Sequence, residues 1–408
     1  MLDSKLIYWL SFLLILVSIC FSYYPTRAMP IMGHGTMPYY IGVASCVICV
    51  GSFFKTKNAK YLLCYILVVF LNYFSGNKAV PTIGAALTES ISILLPACIY
   101  YYISIINKPW FNKTLLYSFL TILGLITISS YVIDSQMPGI IRAAVNMEDD
   151  DTVVTLFMSG LSPYALPHAL PILIPPCVMI IKTPGHRIFQ RYVGIIVLVI
   201  IGELILLSQS FGATSMGIVV LLISIFIENE STQSNFRLLI ALSIFFVPII
   251  SIEELQLYLI ELFRGFFENG SKMDIKLSDL AAGIINESTS EITGNRGGLL
   301  EKTFDAIIQN PIFGVNDKSY GNHNALIDRF ACYGLVGFIP LVIFMFHQIK
   351  YTYENVSENI KTYYVIGATA AIVMMVTKNM MGWYQWVCLL LILPLMLNEW
   401  NPQKDKAK

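Results

Sequence analysis

The sequence predicts an all-α fold: a polytopic membrane helix bundle with one large helical insertion outside the bilayer. Three observations predict it. Of the 408 residues, 56% are hydrophobic and 13% charged, against about 25% charged in a soluble domain. Apolar runs of bilayer length recur from end to end, and a spanning helix needs roughly 17–25 such residues. A polar, turn-rich stretch of nearly eighty residues, 253–331, interrupts them late in the chain. The formal net charge is zero, so there is no electrostatic footprint for nucleic acid.

Taken in order, the apolar runs lie at about 6–24, 38–54, 59–75, 88–106, 114–133, 164–181, 192–208, 214–228, 236–252, 332–347, 362–377 and 383–399. That is about twelve spans. The first run has one basic residue, Lys5, and is followed by Tyr23-Tyr24-Pro25 with no small-residue cleavage pattern. A retained helix is expected there, not a cleaved signal. The organisation is therefore spans one to nine in 1–252, a large loop in 253–331, and three spans with a tail in 332–408.

Sidedness follows from lysine and arginine in the short connections. With the N-terminus inside, fifteen of the 26 basic residues fall on inner segments. Only Arg27, Lys78, Arg142 and Lys378 fall on short outer loops. Both termini are then cytoplasmic, and 253–331 faces the other side. That loop opens on EELQLYLIELFRGFF, whose leucines and aromatics recur at helical spacing beside Glu253, Glu254, Glu261 and Arg264. It reads as an amphipathic helix. A structureless loop of this length is rare, so several short helices are expected. Gly294-Asn295 caps one beginning near Arg296, and Asn310-Pro311 ends it.

Eight cysteines occur, nearly all in apolar runs. Cys46 and Cys49 form a CxxC inside a helix with no second pair, so small apolar helix residues are expected in place of disulfides or zinc ligands. The run Glu148, Asp149, Asp150, Asp151 carries enough charge for a divalent cation, but four consecutive acids do not converge on one ion without a tight curl; a solvated loop is expected. Glu203 lies inside the seventh span, where a carboxylate is costly and often functional; a helix–helix contact is the plainer reading. No phosphate-loop, HExxH or GxSxG pattern exists, and no cofactor or metal is expected.

The chemistry is expected in 295–337. His323, between Asn322 and Asn324 at a helix start, titrates near neutrality and can accept a proton from a hydroxyl. A histidine at a solvated cap is the commoner use of that residue. Arg296 and Arg142 carry planar forks that match phosphate oxygens; interfacial anchoring competes with that role. Arg329 lies nearly two turns past His323, with Asp328, a glutamate or lipid phosphate as its plainer partners. Arg27 and Lys78 are weaker candidates of the same kind.

The segment resembles the signature region of the O-antigen ligase/polymerase superfamily. Arg296-x3-Leu300 is similar to its R-x3-L. Asn310-Pro311-Ile312-Phe313-Gly314-Val315 is similar to its N-P-x-x-G-hydrophobic turn. His323-x10-Gly334, with Leu335-Val336-Gly337, resembles its H-x10-G-hydrophobic-x-G. The resemblance implies a GT-C-like membrane glycosyltransferase acting on polyprenyl-diphosphate-linked oligosaccharides at the periplasmic face of a bacterial inner membrane. It implies His323 and Arg296 as catalytic residues, His323 as base or acceptor-orienting group and Arg296 on the diphosphate. Arg142, Arg329, Asn322 and Arg27 are then substrate-binding candidates. Membrane lipids and a chain-length regulator protein are the further partners implied. A second family arginine belongs near Ser208-Gln209-Ser210-Phe211-Gly212-Ala213, where this chain has none; Arg142 is the substitute expected, and the loss favours polymerase over ligase. With cations in the charge role, metal-independent transfer is expected. The rival of another class is a lipid-linked oligosaccharide flippase, which the lack of a visible repeat and the large outer insertion disfavour.

Overall fold

The computed structural model describes residues 53–78, 80–106, 108–144, 155–157, 159–183, 188–227, 253–267, 269–285, 296–315, 320, 324–378 and 381–401. Every regular element among them is helical. The expected spans 6–24 and 236–252, nearly all of 38–54, and the acidic run at 148–151 lie outside the described residues.

The elements are α1 Lys57–Phe74, α2 Ile83–Ile106, α3 Pro109–Gln136 and the one-turn α4 Ile140–Ala143. Then come α5 Ala165–Lys182, α6 Ile188–Leu207 and α7 Phe211–Phe226. The insertion supplies α8 Glu253–Arg264, α9 Lys272–Ile285 and α10 Arg296–Gln309. The chain closes with α11 Ala325–Asn355, α12 Lys361–Thr377 and α13 Trp383–Glu399. Five of these, α2, α3, α5, α6 and α11, are long and apolar enough to cross a membrane, and α7, α12 and α13 are shorter apolar helices.

The centre of the bundle is built from two irregular helices. In α5, Pro167, Pro171, Pro175 and Pro176 each lack the amide that would bond one turn back, and Leu170–Leu173 tightens into a 3₁₀ turn. In α13, Pro394 leaves the Leu390 carbonyl without its helical donor, and Cys388–Ile392 widens into a π turn. Both are buried almost throughout, so their irregular backbone is enclosed by protein as a membrane interior requires. The α12 helix packs on α5, and α2 and α3 pack on α13. Gly367 of α12 sits against the Ile172 carbonyl, where an added Cβ would come within 2.8 Å. Against this core α6 packs on α5, and α11 packs extensively on α1. The four cysteines at 98, 177, 332 and 388 are buried helix residues.

Within 253–331 the described residues form three helices before α11 begins. The helix α8 packs on α9 as a hairpin, α10 begins at Arg296, and it stops at Gln309 before Asn310-Pro311.

Candidate functional site

The segments Asn310–Val315 and Cys332–Gly337 meet backbone to backbone. Gly334 interrupts α11 at φ 59°, ψ −169°, a conformation that only glycine adopts readily. The kink takes the Leu335 amide away from Ala331. Leu335 N donates instead to Pro311 O at 2.9 Å, Val336 N donates to Ile312 O at 3.1 Å, and the released Ala331 carbonyl accepts from Val315 N at 2.9 Å. Gly314 has φ 78°, and a Cβ on it would lie 2.3 Å from Cys332 O. A Cβ on Gly334 would lie 2.2 Å from Ile312 O. The N-P-x-x-G turn and the glycine eleven residues after His323 are therefore one interlocked crossing. Asn77, itself buried, donates from Nδ2 to Val315 O at 3.1 Å and ties α1 to it.

A second anchor joins α10 to the start of α11. Asp328 is buried; it accepts the Asn324 amide at 2.7 Å and the Thr303 hydroxyl at 3.2 Å. Thr303 is seven residues from Arg296, about 10 Å along the helix. Arg296 opens α10 by its backbone; its side chain, His323, Asn322 and Arg27 all lie outside what is described.

Arg329 takes one of its plainer partners, a glutamate. Its Nε and Nη2 grip Glu89 of α2 at 2.8 and 2.9 Å, and its Nη1 donates to Ala325 O at 3.1 Å. The Tyr65 hydroxyl adds a hydrogen bond to Glu89 Oε1. This bidentate pair is mostly buried and neutralises the guanidinium.

A string of polar groups runs across the same end of the bundle. Gly139, at φ 76°, turns the chain from α3 into α4 and places Arg142, half-buried, with its guanidinium 4.5 Å from the Tyr164 ring centroid. Arg142 has no ion pair among the described residues. The Tyr164 carbonyl lies 3.0 Å from His168 Nδ1, and His168 Nε2 lies 2.7 Å from Ser210 Oγ. Since a carbonyl only accepts, Nδ1 carries the proton. Ser210 also caps α7, accepting from the Ala213 amide at 3.4 Å. At that helix start Lys378, from the end of α12, lies over Gly212: an added Cβ would meet Lys378 Cε at 2.3 Å and Nζ at 2.8 Å. The Lys378 carbonyl accepts the Ala325 amide at 2.9 Å, which returns the string to α11 and to Arg329.

This arrangement links a guanidinium, an ammonium and the positive end of a helix dipole to the start of α11 at Ala325. Such a set can hold a diphosphate and stabilise its departure. Lys378, His168 and Ser210 were not among the residues singled out by sequence. A signal existed for His168, an ionisable side chain inside an apolar span. Lys378 carried no local signal beyond its place on a short outer connection, because its approach to Gly212 is made through space. Among the described residues no three of His, Cys, Asp or Glu gather as a metal set.

No family model, curated protein or solved structure matches the chain.

Proposed function

We propose that the chain is a membrane glycosyltransferase of the polysaccharide-polymerase kind. It moves a growing glycan from its polyprenyl diphosphate onto the next lipid-linked repeat unit at the outer face of a bacterial inner membrane. One observation carries this reading: the interlocked crossing of Asn310–Val315 with Gly334 lies on the helix whose first residue, Ala325, is bonded to Lys378. The signature segment and the cationic string thus share one end of the bundle.

In this mechanism the acceptor hydroxyl oxygen bonds to the anomeric carbon of the donor sugar. The bond from that carbon to the diphosphate breaks, and the diphosphate leaves on its polyprenyl carrier. The hydroxyl proton passes to His323. Arg296, Arg142 and Lys378 neutralise the departing charge, which costs no reorganisation if they are already in place. Holding both substrates in register supplies the rest. His168 and Ser210 position the start of α7 and with it Lys378.

The test is complementation of a deletion strain, read as banding of surface polysaccharide. His323→Ala and Lys378→Ala, each checked for membrane insertion, are expected to leave a single repeat unit on the acceptor. Long-chain banding in either variant contradicts the reading. A bare acceptor, with glycan left on the polyprenyl carrier, would mean that the finished chain is ligated and not polymerised.

A further inference from the structure

A pocket of about 720 Å³ opens between α3, α6, α7 and the turn after α8. Its lining includes the aliphatic Ile174, Leu198, Ile201, Ile218 and Leu221. It also carries Asp134, Ser135, Glu203, Gln209, Thr214 and Ser271, with the exposed aromatics Tyr131, Phe263 and Phe266. No lining residue is cationic.

Two of the polar groups await a partner. Glu203 is half-buried on a membrane-type helix, yet its carboxylate has no hydrogen bond or ion pair among the described residues. Thr214 Oγ1 is closed to solvent and has no hydrogen-bond partner among the described residues. Polar atoms left so within a bilayer are costly. Asp134 is engaged by the Gly139 amide at 2.9 Å and adds a second negative charge. Gly202, beside Glu203, leaves open space: nothing lies within 4 Å of an added Cβ.

We infer that this pocket is a lipid site distinct from the cationic string. It binds an amphiphile whose polar end donates hydrogen bonds and carries no net negative charge, with the chain laid along the aliphatic wall. The charge pattern sets the specificity. The lining carries the Glu203 and Asp134 carboxylates and no cationic side chain, which disfavours a phosphate or sulfate head directly attached to the chain. Carboxylate oxygens accept hydroxyl or ammonium hydrogens, and Thr214 offers a further polar contact in the same lining. The exposed aromatics suit an ammonium or a sugar face equally. A diphosphate-linked lipid is therefore excluded here. The inference does not rest on the transferase reading.

The experiment uses the full chain carrying Gly202→Cys in lipid nanodiscs. The rate of thiol labelling is followed while three probes with one twelve-carbon tail are added: dodecylammonium, dodecyl glucoside and dodecyl sulfate. Dodecylammonium, dodecyl glucoside or both are expected to slow labelling at concentrations on the order of tenfold below dodecyl sulfate. Which of the two acts separates an amine head from a sugar head. Glu203→Leu in the same background is expected to abolish the difference. Equal protection by all three probes, protection by the sulfate alone, or a preference that survives Glu203→Leu overturns the proposal. Parallel loss of helicity in Glu203→Leu is controlled by Glu203→Gln, which keeps the shape and is expected to retain the glucoside but lose the ammonium preference.

Discussion

Arg329 and Arg142 stand at two ends of one polar string, and their surroundings assign them opposite work. Arg329 is clamped by both oxygens of Glu89, with Tyr65 completing the carboxylate's shell. Among the described residues Arg142 lies over the face of Tyr164 and has no ion pair. A guanidinium already matched by a carboxylate gains little from a phosphate, because the pair must first be broken. A guanidinium on an aromatic face keeps its fork of donors. The comparison separates a cation paired within the fold from one without an ion pair among the described residues; under the proposed function Arg329 is then scaffold and Arg142 serves the substrate.

The largest effect should come from breaking the clamp. Glu89→Ala leaves Arg329 buried and uncompensated, a loss of about 3–5 kcal/mol. Thermal unfolding in nanodiscs should show it, and the double variant Glu89→Leu with Arg329→Met should recover much of the loss. If Glu89→Ala unfolds like the unaltered protein, the clamp is not structural. Next is the backbone crossing. Gly334→Ala is expected to cost at least about 2 kcal/mol, from the conformation alone, before the overlap with Ile312 O is relieved. A stable, active Gly334→Ala protein would mean that α11 straightens without harm.

On the working side, Arg142→Ala or Lys378→Ala should lower polymer formation by roughly 10²–10³ while leaving the unfolding temperature unchanged. Lys378→Arg should restore part of it. A fall in stability in place of activity would return both residues to the scaffold. Ser210→Ala removes a helix cap and should cost about 1 kcal/mol, seen as a lower midpoint in a denaturant titration.

The smallest effect concerns the α8–α9 hairpin. The Gly270 amide and then Arg264 hold the Asp274 carboxyl below its ordinary range, and Arg264 bonds it at 2.9 Å. A folded pKa lower than the unfolded one stabilises above about pH 4 and is lost as pH falls through the folded value. Protease cleavage of the hairpin should therefore rise on acidification below that range. Asp274→Asn should be cleaved at neutral pH and show no further change.

The helices were legible because periodicity and span length are local. The described residues carry helices at nine of the expected runs, and α10 starts at Arg296 and stops before Pro311 as its caps imply. The site was legible only in part. The turn Asn310–Val315 and Gly334 could be picked out as likenesses, but not that they cross, because that contact depends on an amide released by the kink. The partner of Arg329 lies 240 residues away and no neighbouring acid announces it. Lys378 reads as an ordinary outer-loop cation until α12 and α7 are brought together. The irregular turns of α5 and α13 answer to prolines whose consequence, 3₁₀ or π, depends on what packs around them.

The most direct measurement is a binding titration of polyprenyl diphosphate against the purified chain in nanodiscs, comparing the unaltered protein with the double variant Arg142→Ala, Lys378→Ala. The account predicts that affinity falls by about a hundredfold or more and that Glu203→Leu leaves it unchanged. Equal affinity in the double variant, or a loss confined to Glu203→Leu, would contradict it.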